Sequence, residues 1–290
     1  MRIHHLNCGS MRPVGRRLLR NRRPAAQPSD THGETPAERP TMVCHCLLLE
    51  TGQGLVLVDT GFGLQDIALA TTRLSRLFLK ASRPALLEAE TAVHQVEALG
   101  FRREDVQHIV VTHLDPDHAG GLTDFPEAHV HVLSDEHFGA TTRPRAMERS
   151  RYRPVQWAHG PRWEFYAATG EPWQGFETVR DLRGLPPEVL MIPLSGHSRG
   201  HAGVAVRGDD GWLLHCGDAY FHHGDIHAGA TCPSALALFQ RLVAHDYPQM
   251  LANQGRLRDL ARQTDDDLHL FCSHDPVELD RQRQRAGPTG

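Results

Sequence analysis

The stretch His113-Leu114-Asp115-Pro116-Asp117-His118 puts four imidazole or carboxylate groups within six residues. Neutral imidazole nitrogens and carboxylate oxygens are the donors that borderline and hard divalent cations take up. An ordinary polar turn is a poor account of four such groups at that density, so the stretch reads as a metal site. Three later positions look like completions of it: His197 after Gly196, Asp218 after Gly217, and His274 after Ser273. Taken alone, a Gly-His or Gly-Asp pair carries no signal. Their shared context does, because each stands just past an apolar run with the make-up of a buried strand.

Positioning these groups requires strands that end at one place. The run 106–112 has the length and β-branched content of a buried strand that delivers His113 at its end, and 117–122 then starts a short helix. Runs 43–50 and 54–59 form a hairpin across Thr51-Gly52-Gln53, ending in Asp59-Thr60-Gly61. Asp59 is expected to hydrogen-bond the neighbouring metal-binding loop rather than to ligate. Residues 64–83 read as a connection with some helical character. The apolar spacing of Leu86, Ala89, Val93, Val96 and Leu99 before Gly100 predicts an amphipathic helix over 85–99. A strand over 128–133 leads into a helix over 134–141 capped by Ser134. The second half repeats the alternation. It has a strand over 189–194, a Gly/His loop over 195–201, a hairpin of 202–207 with 212–216, helices over 234–245 and 249–263, and a last strand over 268–272. Sheet and helix in each half imply two sheets packed face to face with helices outside, an α/β four-layer αββα sandwich. Three parts follow: a strand and an Arg/Pro-rich arm over 1–42, a catalytic domain over 43–276, and a tail over 277–290.

Segment 143–175 carries Tyr152, Trp157, Trp163, Tyr166 and Trp173, three of the chain's four tryptophans. Two readings stand side by side: a pocket wall or lid, or aromatics that close a small core or a dimer contact.

Composition narrows the function. The 290 residues carry a net charge of −4, and Lys80 is the only lysine among 31 basic residues. An acidic chain is a poor nucleic-acid binder, so the cluster Arg16-Arg17-Leu18-Leu19-Arg20-Asn21-Arg22-Arg23 is read as a solvated or interface-forming arm. No apolar run has the length of a membrane span, and the first residues lack a signal-peptide layout, so the expected residence is cytoplasmic. Six cysteines without paired spacing read as buried free thiols of a reducing compartment. His4, His5, His201, His222 and His223 are kept outside the ligand set.

Val-Asp-Thr-Gly at 58–61, Thr-His-Leu-Asp-Pro-Asp-His at 112–118, Ser-Gly-His-Ser-Arg-Gly-His at 195–201, Gly-Asp at 217–218 and Ser-His at 273–274 together resemble the metallo-β-lactamase-fold hydrolases. The likeness spans about residues 43–276 and is greatest to stand-alone, lactonase-like members. It implies the αββα fold and one or two divalent metal ions, with Zn ahead of Mn or Fe. It also implies His113, Asp115 and His197 on the first metal, Asp117, His118 and His274 on the second, and Asp218 bridging. The mechanism that follows from such a pair is metal-assisted hydrolysis, with two cations about 3.5–4 Å apart holding a hydroxide as nucleophile and Asp117, swung off its metal, accepting or relaying the proton. Tyr220 would correspond to an oxyanion donor, or else pack. The family pattern His-x-His-x-Asp-His is here His-x-Asp-x-Asp-His. The extra carboxylate at 115 is expected to raise the pKa of a metal-bound water and to favour harder cations, or else not to ligate. The activity implied is hydrolysis of a small ester, lactone or related molecule, in a chain that homodimerises as relatives do. A phosphodiesterase or thioesterase of the same fold, or a degenerate non-catalytic member, are the alternatives.

Overall fold

The computed structural model describes residues 1–13, 42–177, 182–209, 211–263 and 267–287. The arginine cluster at 16–23, most of the arm and the last three residues of the tail lie outside the described residues. In the first sheet, β1 (Arg2–Met11) pairs antiparallel with β2 (Met42–Thr51), which pairs antiparallel with β3 (Gly54–Val58). Strands β4 (Val106–Val110), β5 (His129–Leu133) and β6 (Arg162–Tyr166) then add on in parallel. A small hairpin of β7 (Pro172–Trp173) and β8 (Phe176–Glu177) leads to the second sheet. That sheet contains β9 (Val189–Pro193), β10 (Ala202–Gly208), β11 (Gly211–His215) and β12 (Leu268–Phe271), in the order β12-β11-β10-β9.

Side chains alternate across a strand, so each sheet has two faces to bury. Leu47, Leu49, Val56, Val58 and Val110 meet Val189, Met191, Val204, Val206 and Phe271 between the sheets. Leu48, Leu57, Ile109 and Val130 pack under the helices on one outer face. Leu190, Ile192, Ala205, Leu214 and Leu270 pack against Leu257 and Leu260 on the other. Three apolar cores between four layers give the αββα sandwich. Cys44 and Cys46 both face the first core, as their spacing requires, and all six thiols are free.

The helices, in chain order, are α1 (Leu64–Ala68), α2 (Ala70–Arg73), α3 (Arg76–Ser82), α4 (Ala92–Ala98), α5 (Pro116–Ala119), α6 (Ser134–Thr142), α7 (Ala146–Arg151), α8 (Ser234–Val243), α9 (Tyr247–Gln263) and α10 (Pro276–Ala286). Only the second half of the helix expected over 85–99 forms. Leu86 adopts φ 52°, and the Thr91 hydroxyl caps α4 by accepting the His94 N–H, so the helix begins at Ala92 rather than at 85. Ser134 is the first residue of α6 rather than its cap. The tail is ordered into α10. Asp275 accepts the Val277 N–H at 2.9 Å, Pro276 takes the first turn where no N–H is needed, and the helix packs on β1 and β2. The aromatics of 143–175 close the cores: Tyr152 and Trp157 lie in the first, Tyr166 in the second and Trp173 in the third. Among the described residues, no helix is long and apolar enough to cross a membrane.

Candidate metal centre

The ends of β3, β4, β9, β11 and β12 converge, and with them all seven sequence-predicted ligands. His113, His118, His197, Asp218 and His274 are each no more than 3% exposed, and Asp117 is 8% exposed. Donor atoms of His113, His197 and Asp218 form one compact triad, and those of His118, Asp218 and His274 form another. Asp218 is therefore common to both. Its Oδ2 lies 3.8 Å from His113 Nε2, 3.5 Å from His197 Nε2 and 3.1 Å from His274 Nε2, while Oδ1 lies 3.4 Å from His118 Nε2. Asp117 Oδ2 is 3.6 Å from His274 Nε2. Asp115 Oδ2 is 3.1 Å from His197 Nε2 and 3.4 Å from His113 Nε2. The proximity of two carboxylates to one set of imidazoles is the arrangement sequence spacing alone left open.

The far side of each ring is fixed. Asp59 accepts from the Thr112 N–H and hydroxyl, each at 2.7 Å, and from His118 Nδ1–H at 2.8 Å. His113 Nδ1 contacts the same hydroxyl at 3.0 Å, so one buried carboxylate sets the tautomer of two rings, as expected of Asp59. His274 Nδ1–H donates to the Val43 carbonyl at 2.7 Å. His201 donates to the Leu194 carbonyl and accepts the Asp218 N–H at 2.8 Å, which holds the backbone of the carboxylate common to both triads. Gly217 precedes it at φ 55°, where a Cβ would stand 2.5 Å from His201 Nε2. What remains without a hydrogen-bond partner among the described residues includes His113 Nε2, His118 Nε2 and Asp218 Oδ1, all buried and all turned to one point. Buried polar atoms are rarely left so. Their convergence, from a mixed nitrogen and oxygen donor set, fits divalent cations. Burial would raise the Asp218 carboxyl, but His274, His118 and His197 more than offset it and hold it well below the usual carboxylate range.

The metallo-beta-lactamase superfamily profile matches residues 39–267. The chain belongs to that superfamily. It is 44% identical over 276 residues to a probable metallo-hydrolase of Mycobacterium bovis, covering 95% of this chain and 81% of the relative. An N-acyl homoserine lactonase of Bacillus cereus is 25% identical over 182 residues, covering 62% of this chain and 64% of that one. Among solved structures, an N-acyl homoserine lactone hydrolase with N-hexanoyl-L-homoserine at its catalytic metal centre superposes with a TM-score of 0.67 at 20% identity, covering 97% and 96% of the two chains. AidC, a dizinc lactonase, gives 0.51 at 18% identity over 81% and 73%. The fold is thus the metallo-β-lactamase fold, and the chain is a metallo-hydrolase of that superfamily, one whose relatives point to divalent metal.

The site departs from expectation in three places. Tyr220 does not reach it: the ring is fully buried in the third core and its hydroxyl donates to Glu278 at 3.1 Å, so it packs. The next residue, Phe221, stands there instead, its ring 5.6 Å from His197 and 5.2 Å from His274. Glu136, which no motif singled out, is fully buried and accepts four hydrogen bonds. Its partners are the Leu114 N–H, the Tyr152 hydroxyl, the Ser198 hydroxyl and the Gly200 N–H, at 2.6 to 3.0 Å. It ties the His113 and His197 loops together. Arg151, at the end of α7, points its Nε at Asp115 Oδ1 from 3.5 Å. Burial would raise Asp115, but Arg151 first and His113 next hold it well below the ordinary range. A further group, Cys44 with Asp117 and His274, brings a buried thiol beside the second triad. His222, His223 and Asp275 gather separately, with His223 donating to Asp275 at 2.6 Å. His4 and His5 are engaged by Glu50 and His45 away from the site.

The metallo-β-lactamase site opens into one pocket of about 540 Å³. Asp115, Asp117, His197, Asp218 and His274 form its floor. Its walls are apolar and come from α3, α7 and α8: Leu77, Phe78, Met147, Leu236, Phe239 and Leu242, with Phe221 at the floor's edge. The segment 64–83, read from sequence as a connection, supplies one wall.

Proposed function

We propose that this metallo-hydrolase cleaves a small, uncharged ester or lactone whose non-reacting part is apolar, with zinc as its cation. The single observation that carries the reading is the contrast within one pocket: five of the seven converging donor residues on the floor and side chains of Leu, Phe and Met on the walls. Among the described lining residues, Arg151 is the only lysine or arginine, and its guanidinium is already engaged by Asp115 and by the His197 and Val243 carbonyls. Beyond the metal ions themselves, no free lysine or arginine among the described lining residues would meet the charges of a nucleotide-like phosphodiester, which disfavours the phosphodiesterase alternative.

His113, Asp115 and His197 would hold one cation and Asp117, His118 and His274 another, with Asp218 shared. Bound divalent cations supply Lewis acidity and a nucleophile derived from water near neutral pH. The chain's own residues do the rest. Asp59 and the Val43 carbonyl fix the tautomer and aim of the His118 and His274 imidazoles. Phe221 and the α8 wall exclude water from the reacting bond. Asp117, the most exposed of the second group, is placed to accept the proton of the attacking water and pass it to the leaving alkoxide. The test is a panel of lactones, aryl esters, thioesters and phosphodiesters with wild type and Asp218→Ala, read beside metal content. Lactone or ester turnover that is lost with the metal in Asp218→Ala supports the reading. Turnover unchanged in Asp218→Ala, or confined to phosphodiesters, removes it.

A further inference from the structure

Asp115 stands where the superfamily pattern has a neutral imidazole, and so brings one extra negative charge to the first triad. Its two oxygens face different ways. Oδ2 lies 3.4 Å from His113 Nε2 and 3.1 Å from His197 Nε2, and Oδ1 lies 3.5 Å from Arg151 Nε. The Arg151 side chain is 8% exposed, and Asp115 is 14% exposed. The guanidinium cannot drift away, because Nη1 donates to the His197 carbonyl at 2.7 Å and Nη2 to the Val243 carbonyl. A planar fork clamped on three sides is a fixed positive charge behind the ligand.

We propose that Asp115 and Arg151 work as one unit, in which the guanidinium cancels the charge that Asp115 adds. The first cation then receives an oxygen donor in place of a nitrogen while the net charge of its surroundings stays that of an imidazole site. The expectation that the carboxylate at 115 by itself shifts the site towards harder metals and a less acidic water is thereby offset: the pair, not the carboxylate, is the unit that replaces histidine. Arg151 is a positioning residue, acting through Asp115. The inference rests on the metal-site reading above and goes past it, since neither the superfamily motif nor the relatives' names speak of residue 151.

The sign of the effect separates this role from a structural one. A charge near a divalent cation inside a protein acts strongly, because the local dielectric is far below that of water. Removing only the positive partner, Arg151→Met, leaves an uncancelled carboxylate and should tighten cation binding, by about tenfold or more. Replacing only the negative partner, Asp115→His, leaves a buried guanidinium facing the cation and should weaken binding by a similar factor. The double variant Asp115→His/Arg151→Met restores both the charge balance and the superfamily pattern, and should bind within about threefold of wild type. If Arg151 only braces the His197 loop against α8, Arg151→Met would loosen binding and the double variant would be worse than either single.

The measurement is the dissociation constant for Zn²⁺ and Mn²⁺ by competition with a chromophoric chelator, with stoichiometry by elemental analysis and folding checked by circular dichroism. Should Arg151→Met fail to fold, Arg151→Lys decides. It keeps the charge without the fork, so near-wild-type affinity supports the proposal, and a loosening of about tenfold overturns it. Weaker binding in a folded Arg151→Met, or a double variant that binds more weakly than Asp115→His alone, overturns it as well. A wild-type protein that binds no cation would instead remove the metal-site reading itself, so the two failures are distinguishable.

Discussion

Glu136 is the buried group whose removal the structure makes quantitative. Each of its oxygens takes one backbone N–H and one hydroxyl: Leu114 and Tyr152 on Oε1, Gly200 and Ser198 on Oε2. Hydroxyls can rotate to accept instead of donate, but backbone N–H groups cannot. Glu136→Gln keeps the shape yet must aim its NH₂ at one of the two amides, whichever way the amide is turned. One charge-assisted hydrogen bond is lost and one buried donor is left facing another, a cost of about 2–4 kcal/mol. For a domain of this size that corresponds to a fall in melting temperature of roughly 5–10 °C. Glu136→Ala strands all four donors and should cost roughly twice as much, close to the whole stability of an ordinary domain. Ser198→Ala removes one hydroxyl and serves as control, at about 1 kcal/mol. The assay is thermal unfolding of metal-free protein followed by circular dichroism, so that loss of cation binding does not enter. Because Glu136 joins the His113 and His197 loops, cation affinity measured separately should fall as well. A metal-free Glu136→Gln protein that melts within roughly 2 °C of wild type would refute the reasoning.

Two more outcomes follow from named contacts. Phe239 lines the apolar wall, so Phe239→Ala should lower kcat/KM for long-chain esters about three- to tenfold through KM, and leave short-chain substrates unchanged; an equal loss on both would place Phe239 outside substrate binding. His131 is buried on β5 beside His108, His129, Glu164, Tyr166 and Arg183, and burial first, with its neighbouring histidines and Arg183, pushes it down to about 3. Its folded pKa lies below the unfolded value of about 6.5, so its stability contribution is complete above that value and is lost as pH falls towards 3. His131 alone should account for about 2 kcal/mol of the stability that metal-free protein loses between pH 7 and pH 5 in urea titrations. His131→Leu should flatten that slope, and an unchanged slope would count against it.

How much of this was legible in the chain depends on how far apart the partners lie. The convergence of the seven donor residues was readable because each stands at or just past the end of an apolar strand, and His113, Asp115, Asp117 and His118 fall in one turn. The alternation of 42–58 and the long apolar runs made both sheets readable for the same reason. Strand β6 was not, since Arg162-Trp163-Glu164-Phe165-Tyr166 is a sheet edge with only Tyr166 buried, and its aromatics resemble those of the loops around it. Leu86 carried the apolar spacing of a helix, but its backbone sits at φ 52° and the Thr91 cap decides where α4 starts. Glu136 and Arg151 had no signal at all, because their partners are 16 to 92 residues away and are largely backbone amides and carbonyls of otherwise unremarked residues.

Tyr220 and Phe221 show where short-range inference fails and what the structure puts in its place. Proximity in sequence to Asp218 places both near the site, but consecutive side chains leave the backbone in different directions. The one with the hydroxyl turns into the third core, where Glu278 needs it: burial drives that carboxyl up to about 8, and the Tyr220 hydroxyl and the Cys272 N–H are its compensating donors. The one without a polar group closes the pocket floor between His197 and His274. A hydroxyl at the floor would add a donor to the reacting carbonyl; a phenyl ring adds exclusion of water and an apolar surface. On the proposed ester or lactone reaction, polarisation of the carbonyl would fall to bound cations, whose strength as Lewis acids depends on the charge around them. That is why the balance between Asp115 and Arg151 matters more here than it would in a site with a tyrosine hydroxyl at hand.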